Sequence, residues 1–273
     1  MMNDKEYELF ELAMSTRAKG KRKKILEDLL EKNDKLFDVE IEYIRLVAKD
    51  SYDILRMVDD ALYRAERELE GMGIELHENM GSFYGILETR PYMRLLYMKL
   101  EALIDVRYIM EGLAIAENML ELNESDNLGV RYNLVNIFSL IMSGDDLELT
   151  LDERWEGFES IEFNLALGHA HYNAADLEAA ENQIQTLLGI YPEFEKGIKL
   201  YKSGKYNFGS YQYESAEHVA NALGQLEPLM NPYNLLFSQH TYFIAIVKPY
   251  RSANCHTFDI LFRWFIYLST YFN

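Results

Sequence analysis

Two histidines lie close enough together in the sequence to suggest metal chemistry. His169 and His171 form a His-x-His pair, and imidazole nitrogens are common zinc ligands. On a regular helix, however, residues two positions apart point to opposite sides, so the two rings cannot ligate one ion. We interpret both histidines as structural and predict no metal site.

Other patterns that carry catalysis are missing from the sequence. It contains no glycine-rich phosphate loop, no G-x-S-x-G nucleophile motif and no H-E-x-x-H motif. The single cysteine, Cys255, has no recognisable catalytic context, and no pair of carboxylates is distinguished by its spacing. We therefore predict a protein that is not an enzyme and that needs no cofactor.

A polar turn, N-E-S-D-N, contains the most distinctive charged residues of the chain. Ser125 or Asp126 can accept a hydrogen bond from the first free N–H groups of a following helix. The guanidinium of Arg131 could hold this turn by binding Asp126 or a carbonyl oxygen. Together with Asn127 and Gly129, these residues are interpreted as a structural turn, with a binding role as the alternative.

The composition predicts a folded and mostly helical protein. Hydrophobic residues make up 49% of the 273 residues and charged residues 26%, which argues against wholesale disorder. Only 5 prolines and 15 glycines are present, so few residues interrupt helices. The elements that must position any site are therefore helices.

The net charge of the chain indicates which classes of partner it can bind. The formal net charge of −18 repels phosphate backbones, so we predict no nucleic-acid partner. Such acidity is typical of a well-solvated surface, and a sharper interpretation is a preference for basic partner segments. One cysteine allows no internal disulfide, and the acidic N-terminus lacks the pattern of a secretory signal. Both features favour the cytoplasm.

Apolar residues recur every three or four positions along most of the chain, as on the buried side of a helix. The pattern in residues 38–69 predicts one long helix or two helices joined near residues 49–51. Residues 89–141 predict three helices, with Pro91 in the first turn of the first. The buried stripe predicted for the second of these is Ile109, Leu113, Ala116 and Leu120. The acidic residues 143–153 are predicted to connect two halves.

Residues 161–194 predict another helix pair and resemble a tetratricopeptide repeat. In that repeat a small residue lets two antiparallel helices approach closely, and a proline ends the second helix. The residues at matching positions are Gly168, Tyr172, Ala180 and Pro192. Leu187 replaces a residue that is usually small. Residues 93–126 resemble a more degenerate unit, with Gly112 and Glu124 where alanine and proline are usual.

The combined pattern is similar to a group of bacterial tetratricopeptide-like proteins of largely unassigned function. The resemblance implies an all-α fold of stacked antiparallel helix pairs, a tetratricopeptide-like α-solenoid. It divides the chain into N-terminal helices that act as a cap (1–74), helical repeats (75–237) and an aromatic-rich C-terminal tail (238–273). The tail has three interpretations: a cap over the last repeat, a contact with a membrane or partner, or an altered terminus.

The resemblance also implies where a partner would bind, because the first helix of each tetratricopeptide pair lines a concave groove. The residues implied for this groove are Arg94, Tyr97, Glu101, Asp105, Glu162, Leu165, His169, Tyr172 and Asn173. Their mixture of aromatic, acidic and basic groups suits a peptide with a basic or polar segment. The alternative is that they make ordinary contacts between neighbouring helices.

The resulting functional prediction is a non-enzymatic interaction module that binds a protein or peptide in a concave groove. One alternative is an enzyme or small-molecule binder that uses a pocket between helices. A second alternative is an adaptor that associates with a membrane through residues 238–273, although that run is short and interrupted by Arg263. The sequence does not specify an oligomeric state or the identity of a partner.

Overall fold

The computed structural model describes residues 2–155 and 161–190, and the regular structure of these residues is helical. They contain no β-strand, only an isolated bridge between Ser82 and Asn123. The α-helices of this part are α1 (Asp4–Ser15), α2 (Lys19–Lys32), α3 (Phe37–Val47), α4 (Ser51–Gly71), α5 (Arg90–Asp105), α6 (Ile109–Leu122), α7 (Val130–Ile141), α8 (Gly144–Trp155), α9 (Ile161–Asn173) and α10 (Leu177–Ile190). The predicted all-α class is confirmed for the described residues. Pro192, Cys255 and the tail 238–273 lie outside them.

The chain divides into two compact units, Met1–Ile137 and Phe138–Asn273. The first unit begins with α1, which is capped by a reciprocal pair of bonds between Asn3 and Glu6. It continues through the helices up to the first two turns of α7. The described residues of the second unit form the end of α7 and the helices α8, α9 and α10.

The run 38–69 forms two helices rather than one. α3 ends at Val47, and Asp50 caps α4 by accepting a 2.9 Å hydrogen bond from the backbone N–H of Asp53. At its other end α4 stops at Gly71. Gly73, just beyond it, has a φ of +75° that suits glycine, and Ile74 N–H bonds back to the carbonyl of Leu69. The second of the two predicted arrangements is therefore the observed one.

Neighbouring helices of the first unit pack as antiparallel pairs. Arg64 of α4 pairs with Glu40 of α3, while Glu68, one turn further along α4, pairs with Lys35, which precedes α3. The residue numbers of the partners run in opposite directions, so the helices do as well. A chain of this kind buries one stripe of each helix against its neighbour.

α3 and α5 run parallel and touch through polar side chains. Arg94, in the first turns of α5, donates to Asp38 in the first turn of α3, and Asp105 at the end of α5 accepts a bond from Ser51, which follows α3. The partners of the first contact are 56 residues apart in the sequence and those of the second contact are 54 apart. Because these separations are nearly equal, the two helices run in the same direction. The first helices of two successive pairs therefore lie side by side.

The buried stripe of α6 differs from the predicted one. Ala116 is buried as expected, but Ile109, Leu113 and Leu120 are only half-buried. The buried positions are Gly112, Ala116, Met119 and Leu122. A Cβ at Gly112 would lie 3.7–3.8 Å from three neighbouring side chains, so the smallest residue faces inward. The larger residues, such as Leu113, lie beside this contact and are only half-buried. The helix is therefore rotated about its axis relative to the predicted orientation.

The acidic segment 143–153, predicted as a connection, is the helix α8. Ser143 accepts a hydrogen bond of 3.2 Å from the N–H of Asp146, which satisfies a free donor of the first turn. Acidic residues in that turn interact favourably with the helix dipole, and Leu147 is fully buried. The hydroxyl of Thr150 lies 3.9 Å from the sulfur of Met142, which precedes the helix. The acidity marks a helix start rather than a linker.

Candidate functional site

The four α5 residues implied for the groove lie on one helical face, since they are three or four positions apart. Two of them are used within the fold. Arg94 donates to Asp38 through Nε at 2.9 Å and Nη2 at 2.5 Å, and Asp105 accepts from the Ser51 hydroxyl. These contacts join α5 to α3 and to the start of α4. Arg94 and Asp105 therefore make the intramolecular contacts that were the alternative interpretation.

Glu101, between them on α5, has a different environment. Its side chain is exposed and makes no hydrogen bond or ion pair with any residue that the structure describes. Nevertheless, protein surrounds the carboxyl closely enough to raise its pKa by desolvation, an effect that the charge of Arg45 opposes.

Tyr97 lies one turn before Glu101 and is half-buried. Desolvation raises the pKa of its hydroxyl, and the nearby charge of Glu101 raises it further. Asn133 of α7 lies close enough to influence this hydroxyl, but its Nδ2 is buried without a hydrogen bond of standard geometry. We call Tyr97, Glu101 and Asn133 the Glu101 site. It combines a carboxylate acceptor, a phenolic hydroxyl and an amide donor.

Two local structures fix the helices that carry this site. The start of α5 is held by Thr89, whose hydroxyl donates to the carbonyl oxygens of Phe83 and Ile86, and Pro91 occupies the first turn. Phe83 is fully buried and meets the ring of Tyr92 edge to face at 5.9 Å. The register of α5 is therefore set well before Tyr97.

The start of α7 is held by Asp126. Its Oδ1 accepts a 2.6 Å bond from the N–H of Val130, and its Oδ2 accepts from Arg131 through N at 3.1 Å and Nε at 2.7 Å. The turn needs a positive φ at Gly129, +71°, and Asn127 is exposed. Asp126 thus caps the helix that presents Asn133.

The residues implied for the groove on α9 differ in their exposure. Leu165 is fully buried and His169 is only 4% exposed. Glu162 and Tyr172 are half-buried, and Asn173 is exposed. Leu165 and His169 are not open to a partner in this structure, because every residue from 163 to 171 is buried and the helix has no exposed stripe over that length.

His169 makes a specific polar contact inside the second unit. Its Nδ1 lies 3.1 Å from the Ser139 hydroxyl, and desolvation lowers the pKa of the imidazole to about 4. The ring is therefore neutral near pH 7. Asn173 donates from Nδ2 to the carbonyl of Ser139 at 3.1 Å. These bonds satisfy polar groups that α9 and α7 bury.

The second histidine of the pair has a packing role of its own. A Cβ at Gly144 would lie only 2.0 Å from Nδ1 of His171, so the ring packs directly on the start of α8. Within the described ranges, three residues that could share a metal ion are Glu75, His77 and Glu78, and all three are exposed. Neither arrangement is a built metal site.

Asn133 was not predicted from the sequence, in which residues 130–141 were interpreted only as an apolar stripe. Most of α7 is buried, and a buried side-chain amide needs a hydrogen-bond partner, so an asparagine on this helix indicates a specific polar contact. An asparagine flanked by apolar residues in residues 130–141 was the available signal. Such a side chain needs a partner, either inside the protein or bound to it.

Comparison of the chain with protein-family models, with curated proteins and with solved structures gives no match. Its class therefore follows from its own architecture: an all-α protein of adjacent, packed helix pairs. In the part of the chain that is described, no helix combines the length and the apolar character needed to cross a bilayer.

Proposed function

We propose that this protein is a tetratricopeptide-like helical-repeat module that binds a peptide segment of a partner protein at the Glu101 site. The observation that supports the proposal is the state of Glu101: its side chain is exposed, desolvation raises the pKa of its carboxyl, and it forms no direct ion pair with a described residue. Arg45, whose charge reaches this carboxyl, forms its ion pair with Glu42 instead. Withdrawing a carboxylate from water is unfavourable unless a positive group or hydrogen-bond donors compensate. A bound cation supplies that compensation.

The helix arrangement of the first unit supports the repeat part of the proposal. α3 and α5 are the first helices of successive antiparallel pairs and run side by side in the same direction. In a stack of helix pairs, such first helices share one surface. Glu101 and Tyr97 lie on α5, so we expect the Glu101 site to belong to that surface.

The chemistry of the site favours a basic peptide. Glu101 can accept from a lysine ammonium or an arginine guanidinium, and such charge-assisted bonds are stronger than neutral ones. The half-buried Tyr97 hydroxyl, one turn before Glu101, can donate to a peptide carbonyl next to that basic residue. The net charge of −18 attracts a basic segment from a distance and accelerates its association. This is a set of recognition groups rather than a nucleophile with its base.

A selection from random peptides tests this proposal. We expect full-length protein to enrich short peptides that share a lysine or arginine, and Glu101→Gln to weaken their binding about 10- to 100-fold. The matched control is Glu111→Gln, which removes the same charge from an exposed position on α6. Its affinity should equal that of the unmodified protein.

Two outcomes would contradict the proposal. One is an enriched set of peptides with no shared basic residue. The other is a Glu101→Gln variant that binds the selected peptides as tightly as the Glu111→Gln control. Circular dichroism of both variants shows whether the helices remain intact, so a loss of binding by unfolding is recognised separately.

A further inference from the structure

A second feature of the first unit is a cavity of about 480 Å³ beside the start of α5. Its floor consists of buried apolar side chains of α3, α4 and α5, including Phe37, Leu69 and Tyr92. Tyr7 and Leu87 stand at its rim, each 56% exposed. The volume is in the range of small-molecule sites, which are concave, mostly apolar and supplied with few polar groups.

Four of the six charged side chains that line this cavity form ion pairs with each other, which leaves Glu88 and Arg90. Lys35 pairs with Glu68, and Arg94 pairs with Asp38. Arg90 is the exception among the lining cations, because it has no acidic partner within the described residues.

Arg90 is held in place without its charge being cancelled. Its Nε donates to the carbonyl of Tyr84 at 3.1 Å, and its guanidinium stacks over the Tyr84 ring at 5.3 Å. No described residue accepts a hydrogen bond from its two Nη atoms. A fixed guanidinium with a free edge is suited to bind a carboxylate through two parallel bonds.

We infer that this cavity binds a small monocarboxylate with an apolar body, whose head pairs with Arg90 and whose body lies on Phe37, Leu69 and Tyr92. Arg90 supplies one two-bonded contact, which matches a carboxylate, and the unpaired carboxylate of Glu88 in the same lining disfavours a doubly charged phosphate. The apolar floor specifies an aliphatic or aromatic body. The positive end of the α5 dipole adds to the attraction of the anion.

This inference does not depend on the proposed function. Arg90 is the first residue of α5, whereas Glu101 lies three turns further along the helix and attracts the opposite charge. Loss of carboxylate binding with intact peptide binding would refute only the cavity assignment. The converse result would refute only the peptide site.

Calorimetric titration of the full-length protein with octanoate, 1-octanol and octylamine tests the inference. We expect octanoate to bind at least about tenfold more tightly than the neutral 1-octanol and than the cationic octylamine. Arg90→Gln should remove this preference, and Arg90→Lys, which keeps the charge but not the fork, should reduce it. The control Arg56→Gln changes an exposed arginine of α4 and should leave octanoate binding unchanged.

Absence of octanoate binding, or equal binding of octanoate and octanol, would overturn the inference. So would an Arg90→Gln variant that keeps its helical spectrum and still binds octanoate with the original affinity. A short apolar peptide with a free C-terminal carboxylate is a further arm of the titration. If it binds more tightly than octanoate, the ligand is a peptide terminus and the assignment to a small acid is wrong.

Discussion

Carboxylates at the protein surface normally keep their water, and ion pairs between exposed groups contribute little. Glu101 departs from this pattern, since it is exposed while its surroundings raise the pKa of its carboxyl through desolvation. The buried Nδ2 of Asn133 has no hydrogen bond of standard geometry, although it influences the hydroxyl of Tyr97. A basic ligand at Glu101, as proposed above, would compensate the desolvation of that carboxylate.

Acid should weaken the second unit through His169. Its pKa is about 4 in the folded protein and 6.5 in an unfolded chain, so the unfolded state takes up the proton first as the pH falls. Stability is fully present above pH 6.5 and is lost progressively towards pH 4, by about 3 kcal/mol in total. Urea unfolding followed across this range measures the loss.

The variant for that experiment is His169→Asn, which keeps a polar group near the Ser139 hydroxyl but does not titrate. We expect its stability to depend less on pH across the same range, whatever its absolute value. His77→Asn is the control, because His77 is exposed. A pH dependence that survives in His169→Asn and disappears in His77→Asn would show that the titrating group is not His169.

At the scale of elements, the sequence predicted which segments are helical better than which sides they bury. The helices from 89 to 141 and the pair after 161 were predicted from their apolar spacing, and the structure confirms them. The orientation of α6 was wrong because a hydropathy stripe ranks leucine above glycine, whereas close helix contact selects Gly112. The helix α8 was missed because its acidic first turn has the composition of a linker.

The candidate site was predictable only in part. Helical spacing placed Tyr97 and Glu101 on one face, and the structure brings them near Asn133. Leu165 and His169, which the resemblance assigns to the groove, are buried in this structure, and the sequence around α9 cannot reveal which neighbours cover it. Accessibility depends on contacts between segments distant in sequence, so no local pattern determines it.

Two glycines should respond oppositely to alanine. Gly112→Ala places a methyl at ordinary contact distance, 3.7–3.8 Å, so the gain in helix propensity should stabilise the protein by up to about 1 kcal/mol. Gly144→Ala places it 2.0 Å from the His171 ring and should destabilise the second unit by about 1–3 kcal/mol. Thermal unfolding of both variants decides the signs, and equal shifts would contradict the packing described.

The cap of α7 should also be measurable. Asp126→Ala removes the acceptor for Val130 N–H and the partner of Arg131, so we expect a loss of about 2 kcal/mol in unfolding free energy. Ser125→Ala changes the exposed neighbour and should be nearly neutral. If the two variants are equally stable, the turn does not depend on Asp126.

At the scale of the whole molecule, the acidity and the division into units have separate physical meanings. The net charge of −18 acts over distances comparable to the screening length of the solution, so it affects association rates rather than the fold. The boundary between the units falls inside α7, where residues 130–141 contain no glycine or proline. A sequence pattern that relies on helix breakers could not have found it.

We propose that Glu101 recognises a basic residue of a peptide. Exchanging the charges of Glu101 and of that peptide residue is the sharpest test of this recognition. Affinities are measured for the protein and its Glu101→Lys variant, each with a selected peptide and with a peptide whose basic residue is replaced by glutamate. We predict that the two single changes each weaken binding and that combining them restores it, with a coupling energy of at least about 1.5 kcal/mol. Strictly additive losses would contradict the account.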